Sequence, residues 1–107
     1  MKDIIRENYR VWFPVDLGPS KAETDNADVH VHLKNGEHYF ATFITIRNIE
    51  WLFKKNRATG ECASGLYLWC CDMIIVERLT EDAVIRTIDD LLEQGEFRGA
   101  FDGPLDE

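Results

Sequence analysis

From Asp28 to Ile44 polar and apolar positions alternate, DVHVHL and then HYFATFI, around Lys34, Asn35, Gly36 and Glu37. That period of two is the signature of strands, and Asn-Gly between them predicts a two-residue type I′ hairpin, because both residues tolerate positive φ. In that register Lys34 faces Glu37, Leu33 faces His38 and Val31 faces Phe40. Upstream, YRVWFPVDL (residues 9–17) mixes β-branched and aromatic residues and reads as a strand interrupted by Pro14. Proline cannot donate to a ladder, so this strand should lie at an edge or end near that residue. A polar loop, residues 18–28, follows.

Downstream the period changes to that of a helix. Thr45 is a suitable N-cap for a helix from Ile46 to Arg57, with Ile46, Ile49, Leu52 and Phe53 as its apolar stripe and Gly60 to end the motif. Lys54, Lys55 and Arg57 fall in its last turn, where cations favour the carbonyl end of the dipole. LYLWCCDMIIVERL (residues 66–79) is apolar on both alternating faces as far as Asp72. It suits either one central strand or two strands meeting at a bulge or turn near Asp72. Thr80 caps a second helix, in which Val84, Ile85, Ile88, Leu91 and Leu92 recur at the helical period and Gly95 is the C′ residue. EFRGAF should add a short turn that tucks Phe97 and Phe101 against the body. The expected fold is α+β: an antiparallel or mixed sheet of four to five strands with two helices packed mainly on one face.

A chain of 107 residues with 45% apolar content fits a single globular domain, residues 1–107, and one core. No uninterrupted apolar run resembles a secretory signal or reaches the ~18 residues of a membrane span. Cys62, Cys70 and Cys71 are odd in number, and adjacent strand residues point to opposite faces, so they read as reduced thiols. The chain is therefore expected in the cytoplasm.

The net charge of −8 disfavours direct contact with nucleic acid, whose phosphates need a positive face. That charge is unevenly spread. From Glu81 to Glu107 nine carboxylates stand against Arg86 and Arg98, whereas from Ile44 to Gly60 Arg47, Lys54, Lys55 and Arg57 stand against Glu50. On a helical wheel Asp82, Asp89, Asp90 and Glu93 fall within about 100° of one another, with Arg86 among them. An ordinary solvated face is the bland explanation, but with Glu96, Asp102, Asp106 and Glu107 nearby the patch would attract a basic partner. Trp51 lies off the apolar stripe, on the basic side of the first helix. It is a candidate hot spot unless a terminal segment around Trp12 covers it.

Catalytic chemistry finds little footing. His30 and His32 share a strand face and could reach one ion, but the expected register puts His38 on the other face, so a three-histidine zinc site fails. Solvated histidines are the simpler reading, with a metal- or ligand-binding module as an alternative. TGECASG (residues 59–65) lacks the G-K-[ST] ending of a phosphate loop, and no serine sits in a nucleophile elbow. Asp89 and Asp90 diverge by about 100° on their helix and are too solvated to serve as an acid–base pair. No catalytic residue, metal ligand or cofactor is assigned.

Three stretches also carry a likeness: YFATFITIRNIEWLF, TGECASGLYLW and DMIIVERLTEDAVIRTIDDLLEQGEF, centred on TGE (Thr59 to Glu61), IIVE (Ile74 to Glu77) and GEF (Gly95 to Phe97). Over Tyr39 to Phe101 the chain resembles small acidic bacterial immunity proteins of polymorphic and contact-dependent toxin systems. The resemblance implies a non-enzymatic inhibitor that binds a cognate toxin domain, often a nuclease, and neutralises it by steric and electrostatic occlusion. The motifs mark a fold, and no binding residue transfers with them. The residues themselves nominate Asp82, Asp89, Asp90, Glu93, Glu96 and Trp51 as partner contacts, on a monomer or weak homodimer. A homo-oligomeric subunit is a further alternative.

Overall fold

The computed structural model describes residues 2–13, 26–69 and 72–105. The expected strand end beyond Pro14, residues 18–25 of the expected loop and the Cys70–Cys71 pair lie outside the described residues, and the last three residues of that loop, 26–28, are strand. Five strands form one mixed sheet in the order β1 (Lys2–Ile5), β2 (Tyr9–Phe13), β3 (Asn26–Leu33), β4 (His38–Thr45) and β5 (Met73–Val76). The first three pairings are antiparallel and β5 runs parallel to β4. Helix α1 (Ile46–Thr59) and a short turn, α2 (Glu61–Gly65), lie between β4 and β5. Helix α3 (Glu81–Gln94) and the single turn α4 (Phe97–Ala100) follow.

Strand β1 has no counterpart in the sequence reading. Its charged neighbours hide a four-residue strand that turns back where the Arg6 N–H donates to the Tyr9 carbonyl at 2.8 Å. Strand β2 is consequently flanked on both sides and is not an edge.

The β3–β4 hairpin forms, but one residue out of the expected register. His32 faces His38, His30 faces Phe40 and Val31 faces Tyr39. Its loop has three residues, not two: Leu33 N–H donates to the Glu37 carbonyl, and only Gly36, at φ 92°, enters the left-handed region. Asn35 avoids positive φ because its side chain holds the loop another way. Its Oδ1 accepts from Glu37 N–H and its Nδ2 donates to Glu37 Oε1, each at 2.9 Å. A three-residue loop closed by a left-handed glycine is the next-commonest hairpin connection. One step of register changes which residues share a face.

Tyr9, Val11 and Phe13, Val29 and Val31, and Tyr39, Ala41 and Phe43 line one face of the sheet and join Val76, Leu79, Val84, Ile88, Phe97 and Phe101 in the hydrophobic core. Helix α3 supplies Val84 and Ile88, fully buried, with Ile85, Leu91 and Leu92 around them. Phe97 and Phe101 are tucked into the core, as expected of the short aromatic turn, and their rings stack at 4.5 Å. The chain beyond them returns to β4: Phe40 and Asp102 exchange backbone hydrogen bonds and Leu105 N–H donates to the His38 carbonyl. This segment occupies the part of the β4 edge that β5 leaves open.

The caps are where local chemistry puts them. Thr45 Oγ1 accepts from Asn48 N–H and Thr80 Oγ1 from Ala83 N–H, while Gly60 and Gly95 end their helices at φ 86° and 75°. Two expectations fail. Ile46, assigned to the apolar stripe, is exposed at the start of α1. Among the described residues of 66–79, only Met73–Val76 are strand, and Asp72 turns into it at φ 48°. Parallel pairing to β4 requires the chain to cross back, and Leu66–Trp69 belong to that crossover, outside the core.

Candidate partner-binding surface

The six nominated residues do not form one patch. On α3, Asp82, Asp90 and Glu93 are exposed, and Asp82 meets Arg86 at 3.6 Å in an i,i+4 pair. Asp89 is different: its Oδ1 accepts from the buried Tyr9 hydroxyl at 2.7 Å, and Arg6 approaches its other oxygen at 3.8 Å. Burial and this carboxylate hold the Tyr9 hydroxyl well above its usual range. Asp89 therefore fastens α3 to β2. Glu96 is exposed just before α4, and its carbonyl accepts from Gly99 and Ala100. An open hollow of about 860 Å³ runs along α3, where Glu77, Arg78, Arg86, Asp90 and Glu93 mix both signs of charge.

Trp51 stands on α1, away from these acids, and is 56% exposed. Lys55 Nζ sits 5.9 Å from its ring centroid, in cation–π range. A second open hollow, about 920 Å³, is lined by Arg47, Glu50, Trp51, Phe53, Lys54 and Arg57. The proposed covering by the Trp12 segment does not occur. Trp12 stacks on His30 instead, at 4.3 Å and 18°.

After α1 the backbone takes an unusual path. Cys62, Ala63 and Ser64 all have φ between 50° and 60°, three consecutive non-glycine residues in the left-handed helical region. The turn closes through Ser64 N–H to Gly60 carbonyl and Leu66 N–H to Cys62 carbonyl. Each such residue costs about 1–2 kcal/mol, so the turn holds about 3–6 kcal/mol of conformational strain. It is seated directly on α1, since a Cβ added at Gly65 would come 2.6 Å from Arg57 Cγ and 3.0 Å from the Phe53 carbonyl oxygen. Beyond it Leu66, Tyr67 and Trp69 are 78%, 52% and 74% exposed. The sequence pattern missed these three residues, because an apolar run alternating as LYLW reads as a buried strand. Two aromatics in a crossover that follows two glycines were the signal available.

The corrected hairpin register brings all three histidines of the chain onto one sheet face. His30 Nδ1 and His38 Nε2 are 2.9 Å apart and share one proton, and the His32 and His38 rings stack at 4.2 Å. Burial and the neighbouring His38 hold the His30 imidazole below its ordinary range; Asp28, which accepts from Thr42 Oγ1, opposes that. Stacked rings do not point their lone pairs at a common point. Among the described residues no group of three or more His, Cys, Asp or Glu is arranged to hold a metal ion. Cys62 is a half-buried free thiol in the left-handed turn. No helix among the described residues is long and apolar enough to cross a membrane.

No protein-family model, curated protein or solved structure matches the chain significantly.

Proposed function

We propose that the chain is a cytoplasmic, non-enzymatic immunity-type inhibitor that binds a cognate bacterial toxin domain and neutralises it by occlusion. The observation that carries this reading is the run of exposed large apolar side chains, Trp51, Leu66, Tyr67 and Trp69, along one connected stretch of chain. Soluble proteins expose single apolar residues routinely, but tryptophan and tyrosine grouped with arginine have the composition of binding hot spots. Both hollows are wide and open, a shape suited to a protein surface more than to an enclosed small substrate. The resemblance to immunity proteins supplies the kind of partner.

Two faces are available to a toxin. The carboxylates Asp82, Asp90 and Glu93 would meet a basic, phosphate-binding cleft such as a nuclease has, and the Trp51 side would meet an acidic surface. The test is genetic and then functional. The reading frame directly upstream should encode a large protein with a toxic C-terminal domain, and co-expression of this chain should restore growth to cells producing that domain. Growth arrest undiminished by co-expression would reject the reading.

One observation favours a second reading, a small ligand- or metal-binding module: His38 joins His30 and His32, all half-buried, on one sheet face. Metal analysis of protein purified without a histidine tag decides it. A stoichiometric transition metal that is lost in a His38→Ala variant would move the function to that face.

A further inference from the structure

We infer that the toxin docks on the corner where α1 meets the left-handed turn, with Trp51 and Tyr67 as anchors, and that the toxin surface is an apolar hollow rimmed by carboxylates. This rests on the inhibitor reading for the partner's identity, and it chooses between the two faces that reading leaves open.

The corner is continuous. Phe53 and Arg57 line the hollow beside Trp51 and are also the residues on which Gly65 is seated. Leu66 and Tyr67 leave directly from that seat, so the strained turn carries two exposed apolar side chains away from residues that also line the hollow of the exposed Trp51. Strain of this kind persists where the surrounding structure over-determines it, and it concentrates at sites that bind. Here the turn is held by two backbone hydrogen bonds and close packing on α1, so the backbone from which Leu66 and Tyr67 leave is fixed before binding.

Charge selects the partner. Around Trp51 the hollow carries Arg47, Lys54 and Arg57 against Glu50, a cationic rim on a chain of net charge −8. The fitting surface has the opposite sign at its edge and accepts aromatic rings at its centre. Aromatics among cations also suit single-stranded nucleic acid. Leu66 has no such use, however, and the field of the whole chain repels phosphates. By contrast the residues described along the α3 hollow include no aromatic side chain: its apolar lining is Val76, Ala83 and Leu91, and Arg78 and Arg86 dilute the sign of its carboxylates. The complementary toxin surface is therefore something other than a phosphate-binding cleft.

The experiment is biolayer interferometry of the full chain against the C-terminal domain encoded upstream. Trp51→Ala and Tyr67→Ala are each expected to weaken binding at least about 30-fold, as hot-spot truncations do. Lys54→Glu should weaken it further and Asp90→Lys with Glu93→Lys should leave it within about threefold, as for charges outside the contact. Hydrogen exchange on the wild-type complex reads the same question without substitutions. Protection at residues 50–57 and 64–68 supports the corner, and protection confined to 82–93 overturns it. Affinity lost through Asp90 and Glu93 but kept in both aromatic variants also overturns it, leaving the inhibitor reading intact. Failure of the wild-type chain to bind at all sinks both. Displacement of the toxin by a single-stranded oligonucleotide, or a Trp51-dependent dimer in light scattering, would assign the corner to another occupant.

Discussion

Replacing Ala63 by glycine should stabilise this protein, the reverse of what glycine does in an ordinary helix. Ala63 is exposed at φ 53° and ψ 47°, so its methyl group contributes no packing and sits in a conformation that L-residues avoid. Removing the Cβ relieves about 1–2 kcal/mol of left-handed strain. Against this stands the larger entropy that glycine loses on folding, roughly 0.5–1 kcal/mol. The difference is a net gain of up to about 1.5 kcal/mol, each kcal/mol raising Tm by about 4 °C for a domain of this size. The control is Ala58→Gly in the right-handed α1, where only the entropy term acts and a loss of roughly 0.5–1 kcal/mol is expected. Urea denaturation followed by circular dichroism measures both, with m unchanged if only stability moves. Equal destabilisation by the two substitutions would refute the argument, because it would mean that residues 62–64 do not occupy the left-handed region in solution.

Asp89→Lys should lower stability by about 1–3 kcal/mol, since it removes the nearer acceptor of the part-buried Tyr9 hydroxyl and leaves it only the Ile85 carbonyl at 3.5 Å, while Asp90→Lys should change it by less than about 0.5 kcal/mol; chemical denaturation separates them. Tyr9→Phe should cost about 1 kcal/mol by the same assay, because water can reach the remaining carboxylate. The His30 imidazole is held below its ordinary 6.5 by burial and His38, so the unfolded chain binds the proton more readily. Its contribution is then complete above pH 6.5 and is lost as pH falls from there through the folded value. Melting temperature should accordingly decline on acidification below neutrality, and His30→Gln should flatten that part of the profile relative to wild type. A profile unchanged by the substitution would contradict the imidazole contact.

What the sequence revealed and what it hid divide along the range of the interactions. Thr45, Gly60, Thr80 and Gly95 could be placed as caps because a cap depends on a few adjacent residues. The apolar stripe of α3 was legible because its residues repeat with the helix and all face one core. The hairpin was legible as a hairpin, but its register turned on whether Asn35 would adopt positive φ or use its side chain on Glu37. The two options are close in free energy, and choosing wrongly moved His38 to the wrong face. Leu66–Trp69 misled for another reason. Hydrophobic alternation predicts burial only where a partner element exists, and these residues lie in a crossover outside the core. For the proposed contacts, the sequence offered the acidic helix, where charge is easy to count. Of the proposed corner it marked only Trp51, since no local pattern announces three left-handed residues in a row.

The central claim, that this molecule works by occupying another protein's surface, is tested most directly by calorimetric titration of the tag-free chain into the upstream-encoded toxin domain, with toxin activity followed in the same samples. Heat saturating at one chain per toxin, with activity falling in step, is the predicted result. Toxin activity that persists through an excess of the chain, with no heat of binding, would contradict it.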